Sequence, residues 1–328
     1  MVAALPSIDG EACVHGLLAQ ARCSACADAC PQDALQMTAE GLVLDPAACT
    51  GCGACVAACP QRAVALDGQG GIRPEPSAGG PEAALVCPRR GPGQGPCLQE
   101  LGLEALARLW LQGVRRIAVL TADCAACPDG AGLPVAARVA ALNALLEDRG
   151  LQPLRIGPVA SVPRRMPRLT AEPAPRRGRR LFLGLGGVIT DTGIPALARL
   201  QSLPGPPGAR HAFAPRIDPA RCTGCDACLR ICPTGALSLI KDDDGGLSYG
   251  ADPSGCTGCG MCEDVCGAGA MTIERLASAV PGPALVSFRC CGCGVEVHVP
   301  SGGPREGGGL CPVCARTGHH RRLFQVLP

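Results

Sequence analysis

Apolar runs long enough to define regular elements are concentrated in the middle of the chain. Residues 83–87, Ala-Ala-Leu-Val-Cys, form a short apolar run of the length and type of a buried strand. Leu98, Leu101, Leu106 and Leu109 recur near helical spacing and predict a helix over 98–112. Residues 116–121, Arg-Ile-Ala-Val-Leu-Thr, predict a second strand. Pro134 to Arg149 predicts a second helix, with Val135, Val139, Leu142 and Leu146 on one face, Pro134 opening it and Gly150 closing it. Strand, helix, strand, helix implies a small α/β domain with parallel pairing over 83–150. Trp110 reads as part of its core.

Elsewhere the apolar pattern shrinks to pairs: Ala34-Leu35, Ala63-Val64, Ala236-Leu237 and Ala270-Met271. Residues 67–82 are so rich in Gly and Pro that no regular element is expected there, and they read as a linker. Residues 151–215 read as a basic, Pro-rich linker followed by an apolar segment. Arg155, Arg164, Arg165, Arg168, Arg176, Arg177, Arg179 and Arg180 face a single acid, Glu172, between 150 and 180. The linker is a solvated spacer or, on a sharper reading, an electrostatic dock for an acidic redox partner. Gly184-Leu-Gly186-Gly187 has Ile189 where a third glycine is needed, which argues against a dinucleotide site.

Composition explains why apolar pairs suffice. The 328 residues include 25 Cys, 45 Gly and 32 Pro, and only 2% are aromatic, so no large hydrophobic core is expected. Disulfides or metal must organise the cysteine-rich parts. The first 30 residues lack the pattern of a signal peptide, and no stretch approaches 18 apolar residues, so a cytoplasmic chain without a membrane span is expected. In that reducing setting clustered thiols point to metal. A formal charge of +2 favours no partner, and Lys241 as the sole lysine reads as composition bias.

The cysteines repeat. Cys23-x2-Cys26-x3-Cys30 is followed by three longer runs, Cys49-x2-Cys52-x2-Cys55-x3-Cys59, Cys222-x2-Cys225-x2-Cys228-x3-Cys232 and Cys256-x2-Cys259-x2-Cys262-x3-Cys266. These runs resemble the bacterial two-cluster ferredoxins, in which three cysteines of a run hold one 4Fe–4S cluster and the fourth holds the other. Gly51, Gly224 and Gly258 lie inside the loops, where a missing Cβ permits a tight backbone that can aim N–H groups at anionic sulfurs. Carried onto this chain, the resemblance implies a C-terminal module over 216–276. One of its clusters is held by Cys222, Cys225, Cys228 and Cys266, the other by Cys256, Cys259, Cys262 and Cys232. Gly267 replaces the usual proline after Cys266 and removes no ligand.

The N-terminal module, over 1–66, departs from this pattern because Gln20 stands where the first cysteine should be. Cys13, ten positions before Cys23, is the one spare upstream thiol. With Cys13 as ligand, one cluster takes Cys13, Cys23, Cys26 and Cys59, and the other takes Cys49, Cys52, Cys55 and Cys30. Without it, the first site has three thiolates and fits a three-iron cluster.

Cys87, Cys97, Cys124 and Cys127 follow the two predicted strands of the central domain, the edge where parallel α/β units build sites. About 70 residues there resemble, weakly, the small iron–sulfur subunit of hydrogenase–heterodisulfide reductase complexes. That resemblance implies a further cluster of the two-iron type and a docking surface. Three readings stay open: a metal site on all four thiols, a redox-active Cys124-x2-Cys127 dithiol, and structural cysteines.

In the tail, over 285–328, Cys290-x2-Cys293 and Cys311-x2-Cys314 are separated by 17 residues, the spacing of a zinc ribbon. A rubredoxin-like iron centre uses the same ligand set, but the aromatic packing it needs is absent. Cys291 is then the spare thiol. Arg305, Arg316, Arg321, Arg322, His319 and His320 raise nucleic-acid binding, which the scarcity of stacking aromatics argues against. The fold class expected is α+β multidomain: two dicluster ferredoxin-like modules flanking a small α/β domain, with a C-terminal zinc ribbon.

The chain holds no motif for flavin, nicotinamide or molybdenum cofactor and no catalytic triad. The expected function is single-electron relay for a partner oxidoreductase, with four 4Fe–4S clusters and one zinc. The module types are similar to the polyferredoxins and auxiliary ferredoxins of molybdenum oxidoreductases such as formate dehydrogenase, which implies a partner of that class. Two alternatives remain: an assembly factor for a metalloenzyme, and an oxidoreductase acting through the central four cysteines.

Overall fold

Two units divide the chain, residues 1–17 with 23–209 and residues 18–22 with 210–328. The computed structural model describes residues 5–38, 41–66, 69–74, 80–89, 96–121, 124, 126–127, 135–173, 194–303 and 309–318.

The first unit opens with β1 (Pro6–Ile8), α1 (Val14–Leu17), α2 (Ala25–Asp28), β2 (Leu35–Thr38), β3 (Gly41–Leu44), α3 (Ala54–Ala58) and β4 (Val64–Leu66). Helices of four or five residues do not stand alone in water, so packing must hold them. β1 pairs antiparallel with β4, Ile8 opposite Val64, and β2 with β3, Leu35 opposite Leu44. Leu35, Cys55 and Val64 are buried together, with Ile8, Leu42 and Leu44 against them. The apolar pair after each cysteine run therefore starts a strand and turns inward.

Next come β5 (Gln69–Pro74) and β6 (Glu82–Val86), a 3-10 turn at Leu98–Glu100, α4 (Leu103–Leu111), β7 (Arg116–Leu120), α5 (Val135–Asp148), β8 (Arg155–Pro158), β9 (Leu169–Pro173) and α6 (Ala196–Gln201). β6, β7 and β8 form a parallel sheet in that order. Leu85, Ile117, Leu106, Leu109, Leu142 and Leu146 are fully buried around it. Trp110 is buried too, its Nε1 donating to the Gln152 carbonyl at 2.8 Å, with the Arg115 guanidinium 4.1 Å from its ring centre. The helix expected over 98–112 is broken at Leu101-Gly102, where the backbone of Gly102 is extended.

Both expected linkers need correction. Residues 67–82 contain β5, which pairs antiparallel with β9 from the presumed spacer. A two-stranded ribbon tolerates Gly and Pro because half its N–H groups face outward, and Ile72 and Leu169, each 1% exposed, anchor it. Residues 151–215 supply β8, β9 and α6 as well. Leu154 is buried and clamped by Asn143, whose Oδ1 accepts from the Leu154 N–H while its Nδ2 donates to the Leu154 carbonyl. The Glu104 carboxylate accepts from the first N–H groups of α6, Ala196 at 2.8 Å and Leu197 at 3.0 Å. A few buried leucines outweigh the arginines around them. Arg176, Arg177, Arg179, Arg180 and the Gly184–Gly187 segment lie outside the described residues.

The second unit runs β10 (Arg210–Ile217), α7 (Ala227–Ile231), β11 (Leu237–Lys241), β12 (Leu247–Ala251), α8 (Met261–Val265), β13 (Met271–Ser278), β14 (Ala284–Arg289), β15 (Glu296–Pro300) and α9 (Pro312–Thr317). β10 and β13 pair antiparallel over their length, starting at Arg210 and not at 216. β11, β12, β14 and β15 make one four-stranded sheet, so the tail extends the sheet of the module before it through Leu247 opposite Leu285. Among the described residues no helix is long and apolar enough to cross a membrane.

Candidate metal centres

Each of four loops begins with the same turn. Asp9, Asp45, Asp218 and Asp252 accept the N–H two residues on, from Glu11, Ala47, Ala220 and Ser254, at 2.9–3.0 Å. The aspartates' own N–H groups donate across the module to Ala63, Ala34, Ala270 and Ala236 respectively, each at 2.8 Å. Every such bond joins the start of one cysteine run to the end of the other. Four residues after each aspartate stands a cysteine: Cys13, Cys49, Cys222 and Cys256. Cys13 thus occupies the place of a first cysteine, and α1 takes up the extra chain before Cys23. His15 of α1, which the sequence did not single out, bonds through Nε2 to the Cys23 carbonyl at 2.7 Å. The Asp-x3-Cys spacing was the signal that would have found this turn.

The crossed bonds bring the cysteines into quartets. Cys13, Cys23, Cys26 and Cys59 line one cavity, with Met37, Leu42 and Val64 among its other walls. Cys30, Cys49, Cys52 and Cys55 line a second, and Cys232, Cys256, Cys259 and Cys262 a third. Cys222, Cys225, Cys228 and Cys266 lie close enough that the other three act electrostatically on Cys228.

The most sheltered of these thiols are costly to ionise as they stand. Burial, then the neighbouring cysteines, pushes Cys26 up to about 11 and Cys55 and Cys228 up to about 12. Burial pushes Cys256 up to about 11 and raises Cys262 as well. Crowded, mostly half-buried sulfurs lose their protons together when a cationic core takes them, and this donor set fits an iron–sulfur cluster. Backbone donors already point at the sulfurs: Ala34 to Cys30 Sγ, Ala63 to Cys59 Sγ and Ala270 to Cys266 Sγ, at 3.2–3.3 Å. The residue before α3, α7 and α8 is left-handed, as Gly53 (φ 74°), Asp226 (φ 59°) and Gly260 (φ 80°).

The tail's four thiols are packed differently. The sulfurs of Cys290, Cys293, Cys311 and Cys314 all lie within 4.8 Å of one another, the one such group among the described residues. Cys293 and Cys311 are 3.9 Å apart. One tetrahedral ion about 2.3 Å from each sulfur would space them about 3.8 Å apart, so the group fits a single ion and not a cubane. The Cys290 sulfur accepts from the Cys311 N–H at 3.1 Å and the Gly292 N–H at 3.4 Å, and the first of these holds its thiol down to about 5. Cys314, fully buried, is pushed up by burial. Cys291 is exposed. Of the basic residues near this group, Arg305, His319, His320, Arg321 and Arg322 lie outside the described residues.

In the central part, Cys87 follows β6 and donates its N–H to the Leu120 carbonyl at the end of β7, at 2.9 Å. Cys124 and Cys127 follow β7, and Cys97 opens the 3-10 turn with its charge acting on Arg138. Among the described residues these four are not drawn into a tight group of the tail's kind.

Residues 21–73 match the 4Fe-4S dicluster domain, and residues 215–238 and 253–269 each match a 4Fe-4S binding domain. No curated protein matches the chain. Such 4Fe-4S domains, with cysteine-lined cavities in the same segments, support a ferredoxin-like iron–sulfur protein.

Proposed function

We propose that the chain relays single electrons between partner proteins through four 4Fe–4S clusters, with a zinc ion in the C-terminal group. The ligand sets are Cys13, Cys23, Cys26 and Cys59; Cys30, Cys49, Cys52 and Cys55; Cys222, Cys225, Cys228 and Cys266; and Cys232, Cys256, Cys259 and Cys262. The observation that carries this reading is that three cavities are each lined by one quartet drawn from two different runs. When bound, such clusters supply one-electron redox chemistry. The chain's own work is to hold four thiolates at each site, aim N–H groups at their sulfurs, and cover them with Leu35, Val64, Leu237 and Met271.

The resemblance to auxiliary ferredoxins makes a molybdenum oxidoreductase, such as a formate dehydrogenase, the proposed partner class. Metal and acid-labile sulfide analysis of anaerobically purified protein, with EPR after reduction, tests the relay. About sixteen iron and one zinc per chain are expected, with four cubane signals. Folded, colourless protein with little iron would end the relay reading. Anaerobic co-purification tests the partner separately.

A further inference from the structure

The three complete cysteine runs of this chain differ at one loop position. Between the second and third cysteines, two runs carry glycine, Gly53 and Gly260, and the third carries Asp226, all in the left-handed conformation. Glycine takes that conformation freely, whereas an L side chain is disfavoured there. Asp226 stands at the N-cap of α7 yet makes no capping hydrogen bond. Its carboxylate turns instead toward two partners from other strands. The hydroxyl of Tyr249, on β12, donates to Asp226 Oδ1 at 2.7 Å. His298 Nε2, on β15, meets the same oxygen at 2.8 Å, and since a carboxylate only accepts, Nε2 carries the proton.

The clamp is rigid and half sheltered. Tyr249, the sole tyrosine, is 2% exposed and packs edge-on against His298 with ring centres 5.9 Å apart. The side chains of His298 and Asp226 are 19% and 21% exposed. The loop is pressed on the strand itself, for a Cβ on Gly224 would run into the His298 carbonyl and come within 3.0 Å of the Val299 Cα. The charge of Asp226 acts on Cys222, and those of Cys222 and Cys228 act on Tyr249, so the clamp lies within electrostatic reach of the third quartet.

We infer that Asp226, clamped by Tyr249 and His298, holds the reduction potential of the Cys222, Cys225, Cys228 and Cys266 site below what a glycine loop would give. A fixed negative charge beside a site that gains an electron disfavours the reduced form, more so where water is partly excluded. The tail contributes the clamp through β15, which makes His298 a positioning residue for a centre in the module before it. This rests on the proposed cluster at that quartet.

EPR-monitored redox titration of the iron-loaded full chain tests it. Asp226→Asn keeps the side chain's size and removes its charge. One cluster should then show about a tenfold higher ratio of reduced to oxidised form at fixed poise, equal to ~59 mV for one electron, with the others unmoved. Should Asp226→Asn lose iron, Asp226→Gly installs the residue of the sister loops and is expected to shift the same cluster the same way. His298→Leu frees the carboxylate and should give a smaller shift, while His298→Gln, which keeps a donor near Nε2, should restore the parent potential. Full iron with an unmoved potential in Asp226→Asn or Asp226→Gly overturns the inference and leaves Asp226 a mere tether. Parent protein short of iron at this quartet overturns instead the four-cluster reading beneath it.

Discussion

A Cβ placed on Gly53 would stand 3.0 Å from both Cβ and Cγ of Glu100, so the loop between Cys52 and Cys55 lies directly against a carboxyl-bearing side chain of the 3-10 turn. Glu100 is 5% exposed, and its Oε2 has no hydrogen-bond partner among the described residues. Burial pushes this carboxyl from 4.5 up to about 7.

That shift fixes a pH dependence. Between pH 4.5 and 7 the folded chain holds the Glu100 proton more tightly than the unfolded chain, so stability falls as pH rises through that window and levels off above it. The loss at pH 8 is on the order of 3 kcal/mol. Glu100→Gln keeps the shape without the charge and should melt higher than the parent at pH 8, with no advantage near pH 4. Thermal midpoints of the iron-loaded protein across this range provide the check, and parallel pH profiles would count against it.

Gly102 makes the second contact between these parts of the first unit. A Cβ there would lie 2.7 Å from the Ala57 carbonyl oxygen and 2.9 Å from the Ala57 Cα, both backbone atoms of α3. Gly102→Ala therefore has to part α4 from the helix that carries Cys55, at a cost of about 1–3 kcal/mol. A lower thermal midpoint and faster bleaching of visible absorbance on exposure to air are expected. An unchanged midpoint would show that the contact gives way freely.

The sequence exposed the parts of this fold that rest on local pattern. Leucine periodicity marked α4 and α5, because their burial follows from spacing along the chain, whereas the apolar pairs after the runs were too short to be read as the starts of β2, β4, β11 and β13. β5 and β9 were hidden because each looks like loop by itself, and Ile72 and Leu169 become anchors only when strands from distant segments meet. The runs themselves were legible because their thiol spacing is local, but the grouping into quartets came only from the resemblance to two-cluster ferredoxins, since the fourth cysteine of each set lies in another run. Asp226, Tyr249 and His298 were not legible, since 72 residues separate Asp226 from His298 and nothing local signals their meeting.

Cys13 supplies the sharpest test of the first quartet. It follows the Asp9 turn as Cys49, Cys222 and Cys256 follow theirs, and it lines one cavity with Cys23, Cys26 and Cys59. Cys13→Ser should lose about one iron in sixteen and acquire the EPR signature of a three-iron cluster, or lose about four iron outright. Cys291→Ser, at an exposed thiol outside the quartets, is the control and should change neither. Full iron content and an unaltered spectrum in Cys13→Ser would remove Cys13 from the site.

The metal proposed for the tail should answer to protons differently from the proposed clusters. Metal binding there requires four thiolates, and protons compete for them. The Cys311 N–H lowers the Cys290 thiol, while burial raises Cys314 in the same group, so the four ligands differ in how readily they give up their protons. Zinc, followed with a colorimetric chelator, is expected to stay bound at pH 7 and to leave on acidification. Cys314 is fully buried, and its serine variant should bind no zinc at any pH while the iron content holds. β14 is paired with β12 as well as with β15, so the module's sheet should keep its first three strands after the ion is gone. Loss of iron in step with zinc would show instead that the two kinds of centre fold as one.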